Sequence, residues 1–113
     1  MSKHDDRVSM QQMLDYARQA VAMARGRERP DLESDYMFQL ALTRLAEIVG
    51  EAASRVSVPT RERYQEIPWP DIVGMRNRLT HGYDAVDLNI LWDTVAIDLP
   101  ELIAELEKII EEK

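Results

Sequence analysis

Between positions 76 and 83 the chain reads Arg76-Asn77-Arg78-Leu79-Thr80-His81-Gly82-Tyr83. Two guanidinium groups, an amide, a hydroxyl, an imidazole and a phenol crowd into that one stretch, a mixture that a hydrophobic core does not need. Imidazole is the side chain best suited to moving protons near neutral pH. Guanidinium offers paired donors to phosphate oxygens. Together they suit RNA cleavage by internal transesterification. That reaction needs a base for the 2′-hydroxyl, an acid for the leaving 5′-oxygen, and donors for the pentacoordinate phosphorane. It needs no metal and no cofactor. Arg76 and His81 are the natural pair for this chemistry. Asn77 and Thr80 can orient the imidazole or a phosphate oxygen, and Arg78 adds a second cation.

The spacing sets a condition. Arg76 and His81 stand five residues apart, a rotation of about 140° on a straight helix. On such a helix they point to different faces, whereas Asn77 or Arg78 shares a face with His81. Two arrangements bring Arg76 and His81 to one target. The helix can unwind around Thr80–Gly82, or a second chain can supply one of the partners. Gly82 is a natural helix terminator, and a two-fold axis beside this helix would pair two copies in one cleft.

Each residue also has a plainer reading. His81 can cap a helix C-terminus, where the dipole favours a cation. Arg76 can pair with Glu47 or Glu51 across helices, Asn77 can be a surface amide, and Tyr83 can be a core-edge phenol. Asp84 and Asp87 read as a loop residue and a helix cap rather than as metal ligands.

The elements that must position these residues are helical. A first helix is predicted over Asp6–Arg25, with Met10, Met13, Leu14, Ala17, Ala20, Val21 and Ala24 on one stripe, ended by Gly26. A second, capped by Asp31 or Ser34, runs to Val56 or Ser57. Gly50 lies inside it at a cost of about 1 kcal/mol relative to Ala, which a close helix crossing would explain. Thr60–Gln65 can form a short turn capped by Thr60. Ile67-Pro68-Trp69-Pro70 resists regular helix because each proline extends its predecessor. A third helix starts at Pro70 and reaches Thr80. Tyr83–Asp87 is read as a loop and Asp87 as the cap of the last helix, which Pro100 must kink or restart. No strand pattern is visible. The expected fold is all-α: one domain over residues 1–113, an antiparallel four-to-five-helix bundle. The apolar excess at Trp69, Trp92 and the alanines of the second helix predicts a homodimer.

Composition narrows the function classes. The 113 residues hold no cysteine, which excludes disulfides and thiolate metal sites. No apolar run nears the roughly 20 residues that span a bilayer, no signal-peptide pattern follows the polar start, and a cytoplasmic location is expected. The net charge of −7 argues at first against a nucleic-acid binder. Its distribution changes that. Residues 1–83 carry 12 basic and 12 acidic side chains, while residues 84–113 carry 9 acidic side chains against Lys108 and Lys113. Arg55, Arg61, Arg63, Arg76 and Arg78 make the stretch around the motif locally basic.

The motif and its surroundings resemble the HepT toxins, a branch of the HEPN superfamily also called DUF86. The octapeptide matches the family's R-x4-H-x-Y pattern. Ile67-Pro68-Trp69, Gly74-Met75, Gly50-Glu51-Ala52, Leu91-Trp92 and Leu99-Pro100 also look like that family, so the likeness covers nearly the whole chain. It implies a HEPN-type bundle that dimerises and brings two motifs into one cleft. It implies a metal-independent endoribonuclease that leaves a 2′,3′-cyclic phosphate and a 5′-hydroxyl, with Arg76 and His81 as the catalytic pair and Asn77 in the same motif. It further implies the toxin role in a type VII HEPN/MNT toxin–antitoxin system. There the partner is an MntA-type minimal nucleotidyltransferase that acts as antitoxin by transferring AMP to the motif tyrosine, here Tyr83. AMP on Tyr83 would set negative charge and bulk beside the basic cleft and exclude RNA.

A second reading has the chain as a non-catalytic dimeric module that binds a nucleotidyltransferase partner or a nucleotide. A third, a purely structural bundle, leaves the polar cluster from Arg76 to Tyr83 without a purpose.

Overall fold

The computed structural model describes residues 5–81 and 85–111, with His81 described in its backbone alone. Helix α1, Asp6–Ala24, begins where the Asp5 carboxylate accepts a hydrogen bond from the Arg7 N–H. It buries Met10, Met13, Leu14, Ala17 and Ala20, the stripe that three- and four-residue spacing predicts. After Gly26, at a φ of 78° that favours glycine, the chain turns through Arg27–Pro30.

The single second helix expected from the sequence is two helices, α2 (Asp31–Ser34) and α3 (Tyr36–Ser54). Asp35 divides them. Its backbone is extended and its side chain caps α3 by accepting the Phe38 N–H, while Arg27 holds the same carboxylate at 3.0 Å. These two contacts hold the Asp35 carboxyl below its ordinary pKa, the backbone hydrogen bond from Phe38 being the larger cause. Neither Asp31 nor Ser34 is the cap of α3.

Helix α4, Val58–Arg63, starts earlier than the Thr60 cap predicted, because Pro59 sits in its first turn where a missing N–H costs nothing. Helix α5 (Trp69–Val73) and helix α6 (Met75–Leu79) replace the expected third helix. Gly74 interrupts the pair, although its N–H still reaches the Pro70 carbonyl and its carbonyl accepts from Arg78. The helix stops one residue early, at Leu79, and Thr80 is extended. There the predicted absence of strands fails: β1 (Thr80–His81) pairs antiparallel with β2 (Ala85–Val86), Thr80 facing Val86 and His81 facing Ala85. A ladder this short carries no legible alternation.

Helix α7, Leu88–Asp93, is capped by Asp87, whose side chain accepts from the Asn89 and Ile90 N–H groups, as the sequence predicts. It continues through a π-helical turn, Thr94–Asp98, into α8, Leu99–Glu111. That widened turn is the answer to Pro100. In an α-helix the proline ring collides with the carbonyl four residues back, and the extra residue relieves the collision without ending the helix.

Helix α1 packs between α3 and α8, and α5–α6 lie across the C-terminal half of α3. The core holds Met13, Leu14, Leu42, Val49, Leu79, Leu91, Leu99 and Leu106, each at 2% exposure or less. Each such Leu contributes roughly 1.5–3 kcal/mol of burial free energy. The architecture is all-α, as expected, with one small hairpin added. Among the described residues no helix is long and apolar enough to cross a membrane.

The apolar excess lies elsewhere than predicted. Trp69 is buried and donates its indole N–H to the Tyr64 carbonyl. Ala46, Ala52 and Ala53 are also in the core, and Trp92 is half-buried. The large apolar side chains left in solvent on α3 are Met37 at 79%, Tyr36 at 66% and Leu40 at 49% exposure.

Candidate functional site

The motif begins on α6, a helix held tightly from behind. A Cβ built on Gly50 would stand 2.7 Å from the Ile72 carbonyl oxygen and 3.0 Å from the Met75 Cβ. No side chain fits there, so Gly50 lets the α5–α6 segment lie against α3 backbone to backbone. Met75 and Leu79 face inward and are buried. Arg76 and Asn77 are thereby turned to solvent.

Arg76 has no hydrogen-bond or carboxylate partner among the described residues. The predicted partners Glu47 and Glu51 are taken by Arg44, at 3.6 and 3.1 Å. A surface guanidinium left open in this way costs nothing in water and is ready for an anion.

His81 is carried off the helix. With α6 ending at Leu79 and Thr80 at φ −104°, ψ 127°, the 140° separation of a straight helix no longer governs Arg76 and His81. Asn77 and Arg78 likewise lose the shared face that an unbroken helix would have given them with His81. The Leu79 carbonyl, unpaired at a helix end, accepts from the Asp87 N–H at 2.7 Å. The chain on either side of His81 is therefore tied twice, by that bond and by the β1–β2 pairing. Tyr83, with Gly82 and Asp84, lies outside the described residues.

Arg61, Arg63 and Arg78 of the basic stretch have separate employment. Arg61 donates to the Val56, Ala53 and Ser54 carbonyls and so closes the C-terminal end of α3. Arg63 lies over the Tyr64 ring, 5.4 Å from its centre. Arg78 turns toward the π-helical turn and pairs with Asp98 at 3.8 Å. Thr80 is half-buried at the first position of β1. Arg55 remains exposed with no partner among the described residues, a cation that sequence inspection did not separate from the other four.

Asp98 was not foreseen, since nothing local links positions 78 and 98. Its carboxyl is pushed above the ordinary range, first by burial and then by Glu101, Asp93 and Asp71, with Arg78 pulling the other way. A 3.8 Å separation is long for a paired guanidinium and carboxylate, so burial outweighs it.

A family model described as ribonuclease HepT-like matches residues 13–109. A Methanocaldococcus jannaschii protein named provisionally as an RNase is 30% identical over 112 residues, spanning 99% of this chain and 93% of that protein. A Thermococcus cleftensis protein named probable ribonuclease HepT is 38% identical over 79 residues, 70% of this chain and 72% of its own length. A Caldanaerobacter subterraneus protein, also named provisionally as an RNase, is 34% identical over 83 residues, 74% of each chain. No solved structure is a significant match.

Proposed function

Because the chain belongs to the HepT-like ribonuclease family, we propose that it is a metal-independent endoribonuclease and the toxin of a type VII HEPN/MNT pair, acting in the cytoplasm. The observation that carries this reading is the open guanidinium of Arg76 on a helix that unwinds before His81. The substrate is RNA, because the reaction uses the 2′-hydroxyl as its nucleophile.

In that reaction one imidazole takes the 2′-hydroxyl proton as the oxygen attacks phosphorus in line. Arg76 donates to the non-bridging oxygens, where charge builds in the phosphorane. A second imidazole, from the other protomer of a homodimer, gives its proton to the departing 5′-oxygen. The products are a 2′,3′-cyclic phosphate and a 5′-hydroxyl. Asn77 and Thr80 orient the reacting groups, and Arg78 reaches a phosphate only after leaving Asp98. The exposed apolar side chains Tyr36, Met37 and Leu40 support dimerisation through α3.

Neutralisation is by an MntA-type nucleotidyltransferase that transfers AMP from ATP to the Tyr83 hydroxyl and releases pyrophosphate. The support for this is the motif's terminal tyrosine and the family. Intact-mass measurement after co-expression with the transferase should show AMP additions that vanish in Tyr83→Phe. Persistence in the Phe variant would remove Tyr83 from the scheme.

The central test is labelled RNA incubated with purified protein in EDTA. Wild type should cut, and His81→Ala should lose about 10²-fold or more of the rate with unchanged circular dichroism. Cutting by His81→Ala at the wild-type rate would end the catalytic assignment.

A further inference from the structure

A groove of about 390 Å³ runs between α5–α6 and the start of α8, with Met75 and Arg78 of α6, but not Arg76, in its lining. Its floor is apolar, with Ile72, Met75 and Leu99 among the lining side chains. Its rim carries Glu66, Asp71, Asp98, Glu101 and Glu105, against Arg78 as the one lining cation among the described residues. Arg78 is engaged with Asp98, and Lys108 reaches Glu105 at 3.4 Å. Glu66, Asp71 and Glu101 have no cationic partner among the described residues. An apolar trough bordered by unpaired carboxylates is a surface built for one sign of charge.

We propose that this groove docks a basic amphipathic segment of a partner polypeptide, apolar side chains on the floor and Lys or Arg side chains against the rim. Charge complementarity selects that occupant. RNA is repelled, since its phosphates would lie against five carboxylates. A second copy of the chain, itself at −7, meets the same repulsion. A small cation cannot use the apolar floor. Burial is the first cause of the raised Asp98 carboxyl, and Glu101 and Asp71 add to it against the pull of Arg78. The proposal stands apart from the ribonuclease reading and needs no catalytic activity.

The probe is a fluorescent Leu/Lys peptide of about three helical turns, its leucines at three- and four-residue steps, followed by anisotropy on the full chain. A scrambled peptide of identical composition and a labelled RNA oligonucleotide serve as comparisons. The patterned peptide should bind about tenfold more tightly than the scramble, and the double variant Asp71→Lys with Glu101→Lys should lose about tenfold of that affinity. Amide exchange should slow over Ile72–Arg78 and Leu99–Leu102 when the peptide is bound. Should the double variant misfold by circular dichroism, Glu101→Gln alone, at an exposed position, should still weaken binding measurably. Equal binding of patterned and scrambled peptides would overturn the proposal, as would full affinity in the charge variants. So would displacement of the peptide by RNA, or self-association of the chain that the same variants abolish.

Discussion

Gly50 of α3 and Ile72 of α5 meet so closely that a single methyl group on the glycine would lie 2.7 Å from the Ile72 carbonyl oxygen. The oxygen belongs to the backbone and cannot swing aside as a side-chain tip would. Gly50→Ala gains about 1 kcal/mol of helix propensity and meets an overpacking cost of about 1–3 kcal/mol. We expect a net loss of stability, read as a lower urea midpoint. RNA cleavage should fall as well, since α6 and Arg76 ride on the displaced segment. An alanine variant as stable as wild type would mean the crossing has slack.

Arg76 can be tested by shape as well as by charge. It is exposed and supports nothing in the core, so Arg76→Ala should keep the wild-type melting temperature. It should lose about 10²–10³-fold in kcat, the usual effect of removing a transition-state donor. Arg76→Lys should recover only part of this, because an ammonium is a point charge without the planar fork. Full recovery by lysine would reduce the guanidinium to a general positive charge.

The exposed stripe on α3 predicts how the protein assembles. Met37→Glu and Leu40→Glu each leave the monomer core untouched and should shift light scattering toward the monomer mass. Cleavage should fall in step with dimer content if each cleft needs two motifs. Monomeric variants that cut RNA at the full rate would refute the shared cleft.

Asp98 gives a pH prediction with a definite sign. Burial raises its carboxyl above the ordinary value of 3.8, with Glu101, Asp93 and Asp71 adding to the effect and Arg78 opposing it. The folded state therefore holds that proton more tightly than the unfolded chain. Ionising Asp98 removes stability as pH climbs from the unfolded value through the raised one. Asp98→Asn should melt at an equal or higher temperature than wild type at neutral pH, with the gap closing in acid. A lower melting temperature for the variant at neutral pH would show that the Arg78 pair dominates instead.

Much of this was legible in the sequence because it depended on local rules. The stripe of α1, the Asp87 cap and the need for a close approach at Gly50 all follow from spacing and residue type. The motif was legible for the same reason, as chemistry rather than as geometry. What escaped depended on competition between neighbours. Asp31 and Ser34 read as helix starts, and only the contacts of Asp35 with Phe38 and Arg27 decide where α3 begins. The hairpin at Thr80–Val86 was hidden because two residues per strand make no pattern. The Arg78–Asp98 pair joins elements separated by a turn, a hairpin and a helix. Arg61 is in sequence only one of five cations in a basic stretch, and the carbonyls at the end of α3 alone give it a structural task.

The groove beside α8 has a kinetic consequence for any polyanion. Carboxylates line the groove beside α6, while the exposed guanidinium of Arg76 on α6 lies outside that lining. An approaching RNA strand should be repelled by the groove and drawn to the guanidinium before contact. The bias reaches about 8 Å at physiological ionic strength, and added salt should make encounters indiscriminate.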